Sequence, residues 1–210
     1  MSKKGLQIIL SGFSGSGKGT VVKKLVEKYD KYALSISATT RGPRDNEIEN
    51  VSYFYITRQE FEELINQDKL LEYAVYSDNY YGTPAEYVYE KRNAGYDVIL
   101  EIETQGALKV KEKCPESILI FMMPPSIEEL RKRLTDRGTE TEEEINKRLQ
   151  QAKRETKVMD QYDYLIINDN VDDCVELLHN IIVSEHKRVE NRLELIEKCK
   201  IEINNLLEGE

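Results

Sequence analysis

Apolar residues in this chain alternate between short unbroken runs and longer stretches where they recur every three or four positions. LQIILSG (6–12), YDVILEIE (96–103), SILIFMMP (117–124) and YDYLIIND (162–169) read as buried strands. GTVVKKLVEKY (19–29), IEELRKRLTDR (127–137) and TEEEINKRLQQAKRET (141–156) have helical spacing. Ser126 and Glu129 form a capping-box signal at the start of the second of these. Strands alternating with helices predict an α/β fold with a mostly parallel sheet. Between Ser35 and Gly95 the texture changes: VSYFYIT (51–57) is rich in β-formers, RQEFEELINQ (58–67) is a short helix, and LLEYAVYSDNYYGT (70–83) is a strand followed by a turn. This segment reads as an inserted α+β subdomain. There is no internal repeat.

From about Asp172 onward the pattern predicts one long helix. Val175, Ile182, Val189, Ile196 and Ile203 repeat every seven residues, with Leu178, Cys199 and Leu206 three places later. Glu185 and Arg192 interrupt that second row. The reading favoured is a helix packed on the core along its first half and half-exposed along its second; a coiled-coil contact with a partner is the alternative. His179 and His186, the chain's two histidines, fall in this segment and read as surface residues.

The 210 residues are enough for one core with a small insert. A net charge of −9 and a pI near 5.0 speak against a nucleic-acid partner. The first apolar run is too short for a signal peptide or a membrane span. Cys114, Cys174 and Cys199 are scattered, with no C-x-x-C pair, which points to a reducing, cytoplasmic setting and to no zinc site.

The chemistry begins at IILSGFSGSGKGT (8–20). Gly12 through Lys18 satisfy G-x-x-x-x-G-K between a predicted strand and a predicted helix. Such glycines let backbone N–H groups turn inward around phosphate, the helix N-terminus adds positive potential, and Lys18 brings a mobile charge. The expected ligand is a nucleoside triphosphate, ATP with Mg²⁺, held by Ser14, Gly15, Ser16, Gly17, Lys18, Gly19 and Thr20. The residue after the lysine is Gly19 and the hydroxyl comes one place later at Thr20, so direct ligation of magnesium by the loop, as opposed to ligation through water, stays open.

SGFSGSGKGT, TTRGPR, NYYGT, RGTETEEEINKR and IIND occur together, in an order and spacing that resemble guanylate kinase from about residue 6 to 185. The resemblance implies a P-loop nucleoside-monophosphate kinase fold: a parallel-sheet core (1–34, 96–134 and 158–210), a GMP-binding α+β subdomain (35–95) and a helical lid (135–157). It implies phosphorylation of GMP, and of dGMP, by ATP. On the matching positions it assigns Ser37, Arg41, Arg44, Tyr53, Tyr81, Glu72, Thr83 and Glu103 to GMP. Arg41, Arg44 and the tyrosines would hold the phosphate, and Glu72 with Thr83 would read the base. Asn168 and Asp169 would lie by the adenine. Lys18, Arg44, Arg137 and Arg148 would be the catalytic charges. Glu101 resembles the acid that orients magnesium-bound water; at 101 and 103 this chain has Glu where the family often has Asp. The expected partners are ATP and GMP alone, with no nucleic acid and no membrane, in a monomer or homodimer.

The acceptor's chemistry agrees with the scarcity of histidine. A nucleotide phosphate with a second pKa of about 6 is already an oxyanion at neutral pH, so no general base is required. Two other readings remain: an inactive guanylate-kinase-like module that binds proteins, against which the intact Lys18 and glycines speak, and a P-loop kinase of another phosphorylated acceptor, which would not need Glu72 and YYGT.

Overall fold

The structure is a computed structural model describing residues 4–45, 47–136 and 141–208. In chain order the first half comprises β1 (Gln7–Gly12), α1 (Lys18–Lys28), β2 (Tyr32–Leu34), β3 (Ala38–Thr39), β4 (Phe54–Tyr55), α2 (Arg58–Asn66), β5 (Leu70–Tyr76), β6 (Asn79–Pro84) and α3 (Ala85–Asn93). The second half comprises β7 (Asp97–Glu101), α4 (Thr104–Lys113), β8 (Ile118–Met123), α5 (Ile127–Asp136), α6 (Glu142–Glu155), β9 (Tyr164–Ile167), α7 (Val171–Glu185) and α8 (Leu193–Glu208).

The four expected apolar runs become β1, β7, β8 and β9 of one parallel sheet, and a fifth strand, β2, which no apolar run had marked, joins its edge in the order β2-β7-β1-β8-β9. Both faces are covered at the centre of the sheet, so every residue of β1 is buried, whereas Leu165 and Ile167 of the edge strand β9 stay exposed. On one face Val21, Val22 and Leu25 of α1 meet Val175, Leu178 and Ile182 of α7 over Ile8, Leu10 and Ile120. On the other, Val88 of α3 and Ala107 and Val110 of α4 pack on Ile9, Val98 and Leu100. Each fully buried Leu or Ile of this kind contributes about 1.5–3 kcal/mol by burial alone. The chain leaves β1 toward β7's side and later crosses to β8, so the sheet order reverses at β1. A crevice therefore opens at the carboxyl ends of β1, β7 and β8, the place where open α/β sheets bind ligands.

The insert carries a second sheet, β4-β3-β6-β5. LLEYAVYSDNYYGT is two strands rather than one: Ser77 and Asp78 both have positive φ (47° and 61°), and β5 and β6 pair antiparallel across this two-residue turn. The expected turn is there; what the sequence did not show is that the chain resumes beyond it as a second strand, since neither turn residue is the glycine of a usual two-residue hairpin. The β5–β6 register shifts between Leu70 and Tyr73, a bulge beside Glu72. Thr57 and Glu60 form a full capping box at α2, as do Thr141 and Glu144 at α6. At α5 only half the expected box exists: Ser126 Oγ accepts from Glu129 N at 3.0 Å, while the Glu129 carboxylate turns to Arg133.

The C-terminal segment departs from the predicted single helix. α7 stops at Glu185, a 3₁₀ turn spans Val189–Arg192, and α8 follows. Asn191 Nδ2 donates to Glu185 O at 2.8 Å and Arg192 Nε donates to His186 O at 2.9 Å, so side chains satisfy the carbonyls that another helical turn would have used. The heptad row is therefore split: Ile182 is buried, whereas Val189 and Ile203 are exposed. The histidines are also not the surface residues expected. His179 stacks on Tyr29 at 3.8 Å and bonds Tyr32 OH at 2.7 Å, while His186 Nε2 meets both Asp97 carboxylate oxygens at 2.9 Å. Both sit far from the crevice and tie α7 to the core.

Candidate functional site

The glycine loop follows β1 at the crevice. A Cβ at Gly12, where φ is 150°, would lie 1.9 Å from Met122 O, so only glycine lets β1 leave the sheet against β8. Gly15 and Gly17 have φ of 93° and 91°, left-handed values that L side chains resist, and Gly17 caps α1. The turn they make leaves a cleft of ≈ 320 Å³ lined by Ser14, Gly15, Gly17, Lys18, Gly19, Thr20 and Glu101. Lys18 Nζ reaches back across it to Gly12 O (2.7 Å) and Phe13 O (3.2 Å). Glu101, at the end of β7, faces Gly19, its Oε2 lying 3.7 Å from where a Cβ would stand. Desolvation by the loop pushes its carboxyl above the ordinary value, and the Lys18 charge partly offsets this.

Arg148, on α6, donates from Nη1 to Ser14 Oγ, so this arginine reaches the glycine loop. Arg137 lies outside the described residues. Ser16 is buried and so is Asn168, whose Nδ2 donates to Ser16 O at 2.7 Å. Asn168 thus lies against the loop backbone, while Asp169 beside it is exposed.

The second cluster lies on the inserted sheet. Arg41 donates from Nη1 and Nη2 to the two oxygens of Glu47, each at 2.9 Å, and from Nε to Tyr81 OH at 3.2 Å. Its guanidinium stands 5.4 Å from the Tyr53 ring centre. Glu47 also accepts from Tyr55 OH (2.7 Å) and Arg44 N (2.9 Å). The Arg41 fork, helped by these donors, holds the Glu47 carboxyl down at about 2, and Glu47 in turn raises the Arg41 guanidinium. The Arg44 side chain is exposed. Ser37, at the foot of β3, is half-buried and its carbonyl accepts from Phe54 N at 2.9 Å.

Glu72 and Thr83 face each other across the β5–β6 ladder, Thr83 Oγ1 donating to Glu72 Oε1 at 2.8 Å. Thr83 is fully buried, and its one hydroxyl proton is committed to the carboxylate. In this arrangement it orients Glu72, the other residue expected to read the base. Burial raises the Glu72 carboxyl, Thr83 and Lys109 oppose the shift, and Glu103 adds to it. Glu72 Oε2 would lie 2.8 Å from a Cβ at Gly106, so the glycine in the first turn of α4 makes room for the carboxylate. Glu103 caps α4 without a side-chain cap bond and remains exposed.

Sequence reasoning missed Glu47, Tyr55, Gly106 and Glu155. Glu155, at the end of α6, is buried with Oε2 unpartnered among the described residues; burial raises its carboxyl, while Gln151 and then Lys18 pull the other way. None of these sits in a periodic position that marks it. Only Glu47, six residues after Arg41 in a polar loop, carried a charge cue.

A phosphate cradle at the switch point of a parallel sheet, faced by an arginine of a separate helical segment and joined to an arginine–tyrosine sheet, defines a P-loop nucleotide kinase. The guanylate kinase family model matches residues 4–185. A guanylate kinase of Caldanaerobacter subterraneus subsp. tengcongensis is 50% identical over 202 residues, covering 96% of this chain and 98% of that protein. One of Oceanobacillus iheyensis is 52% identical over 190 residues, covering 90% and 92%. The crystal structure of guanylate kinase from Anaplasma phagocytophilum superposes with a TM-score of 0.70 at 32% identity, covering 89% of each chain. The chain belongs to the guanylate kinase family, enzymes that phosphorylate GMP with ATP.

Proposed function

We propose that the glycine loop binds ATP, that segment 35–95 binds GMP or dGMP, and that segment 135–157 closes over both as a lid, giving ADP and GDP or dGDP. The observation that carries the choice of acceptor is the half-buried Glu72 carboxylate, one oxygen held by Thr83 and the other bounded by Gly106. An ionised carboxylate only accepts, and guanine presents N1–H and the 2-amino group side by side as paired donors.

The phosphate of GMP attacks as it stands. The chain's part is to bring two polyanions together, neutralise them and exclude water. Lys18 and the loop N–H groups hold the ATP phosphates, Arg44 takes the GMP phosphate beside Arg41, Tyr53 and Tyr81, and Arg148, with Arg137, covers the transferring group. Among the described residues no cluster of three or more His, Cys, Asp or Glu could cage a metal. Thr20 and Glu101 supply hard oxygen donors too few for a protein-only site, which suits Mg²⁺, an ion that takes much of its shell from phosphates and water. Bound there, Mg²⁺ would neutralise phosphate charge. The scattered cysteines, all unpaired, support a cytoplasmic setting.

The test is a coupled assay of ADP formation from ATP with GMP, dGMP, AMP or no acceptor, on wild type and Lys18→Ala. Turnover is expected with GMP and dGMP only, and Lys18→Ala should lose about 10²–10³ in kcat. Equal turnover with AMP, or ADP release without acceptor, would overturn the assignment.

A further inference from the structure

One buried side chain holds the Ser16–Gly17 peptide, just ahead of α1. Asn168 is 2% exposed, and its Nδ2 donates to Ser16 O at 2.7 Å. The reversed amide would set Oδ1 against a carbonyl oxygen, so the contact itself dictates the orientation. The Asn168 backbone is pinned on both sides: its N–H donates to Met123 O at 2.7 Å, and its carbonyl accepts from Arg133 Nη2 at 3.0 Å. Arg133 is in turn held by Glu129 at 2.8 Å. The asparagine is therefore fixed to β8 and to α5, and the loop is fixed to the asparagine.

In a trans peptide the C=O and N–H point in opposite directions. Drawing Ser16 O down toward the buried amide turns Gly17 N–H up toward the cleft that Gly17 lines. That N–H makes no hydrogen bond among the described residues. Gly17 completes the arrangement, since at φ 91° a Cβ would lie 2.4 Å from Asn168 Nδ2. The loop glycine and the asparagine are two halves of one contact, 151 positions apart in the chain.

We propose that Asn168 is a positioning residue of the phosphate loop: it aims the Gly17 N–H at the triphosphate and does not touch the nucleotide. This rests on the loop being the ATP site. It differs from a place beside the adenine, because an adenine contact would read the base whereas a loop clamp acts on any ligand with the phosphate chain.

The experiment measures Kd by calorimetry for Mg-ATP, Mg-ITP and inorganic tripolyphosphate, and separately for GMP, on wild type, Asn168→Asp and Asn168→Ala. Melting temperatures are recorded in parallel. Aspartate keeps the shape and removes the donor; alanine removes the donor without adding charge. Both variants should weaken ATP, ITP and tripolyphosphate alike, by about 10- to 100-fold, as loss of an outer-shell partner does. The ATP-to-ITP ratio and the GMP affinity should be unchanged. A loss for ATP that spares tripolyphosphate would overturn the proposal in favour of a base contact. Lower melting temperatures with all affinities intact would reduce Asn168 to a structural role, and a loss seen only with aspartate would show simple charge repulsion. If wild type itself fails to bind tripolyphosphate or ATP, the loop assignment falls, and the proposal with it.

Discussion

Arg41 and Glu47 meet fork to fork, Nη1 to Oε2 and Nη2 to Oε1, both at 2.9 Å. With Nε on Tyr81 and Nη1 also on Gly42 O, four of the five N–H donors of Arg41 are engaged among the described residues. Glu47 thus sets the posture of Arg41, while the Arg44 side chain is exposed beside them. Glu47→Gln should raise KM for GMP about tenfold while leaving KM for ATP unchanged, as expected when a ground-state binding group is loosened. The pair also has a pH signature. A depressed carboxyl stabilises the fold above its ordinary value of 4.5, and that stabilisation is lost as pH falls toward about 2. Thermal melts should show wild type above Glu47→Gln at pH 6 and the gap closing below pH 4.5. A gap that widens on acidification would reverse the sign and refute the ion pair's role.

Glu72→Gln tests the base reader. Glutamine keeps one acceptor oxygen and replaces the other with a donor that opposes guanine's N1–H or amino group. Sites that pair buried polar groups reject the wrong partner by roughly 10⁴ in kcat/KM, so GMP should far exceed AMP in wild type, with IMP between them. In the variant GMP should fall most and the series should compress. Because burial raises the Glu72 carboxyl, it destabilises the fold once ionised; that cost is absent below its unfolded value and grows as pH rises through its folded one. Glu72→Gln should therefore melt above wild type at pH 7 and lose that advantage on acidification. Unchanged kcat/KM ratios for the three nucleotides would remove Glu72 from base recognition.

Gly106→Ala separates fold from site. Within a helix the change is ordinarily worth about 0.5–1 kcal/mol in favour of alanine. Here the new methyl would meet the Glu72 carboxylate at 2.8 Å, the far end of a flexible side chain that can move aside. Stability should hold or rise while kcat/KM for GMP falls by at least about tenfold, the scale of a misplaced substrate-orienting group. Retention of full GMP activity would mean that the Glu72 position is not critical.

Arg148→Ala should break the contact to Ser14 and remove a charge expected over the transferring phosphoryl group. Loss of about 10²–10³ in kcat is expected, as for an electrostatic group acting in the transition state. KM for GMP should stay within about threefold if the charge acts chiefly in the transition state, not in holding GMP. Steady-state kinetics distinguish this from a pure KM effect, which would make Arg148 a binding residue only.

Four strands of the parallel sheet were legible as apolar runs, which burial on both faces writes into the central ones, and the glycine loop was legible because its glycines and lysine lie within seven residues; β2, only three residues long, left no such mark. α1, α5 and α6 were legible through periodicity and caps. The second strand of the β5–β6 hairpin was hidden because Ser77 and Asp78 adopt left-handed angles without the glycine that marks a hairpin turn. The break after α7 was hidden because its cause is a pair of side chains, Asn191 and Arg192, that fold back onto carbonyls.

By itself, then, the sequence determined the α/β class, the cradle at Gly12–Lys18 and the charges that face a phosphate. Those properties depend on neighbours in the chain. Tertiary structure alone decided that Thr83 serves Glu72, that Glu47 occupies Arg41, that Gly106 makes room for a carboxylate and that Asn168 lies beneath the loop. Each of these is a contact across elements, set by packing and by the need to satisfy buried polar atoms, and no local pattern encodes which partner will arrive.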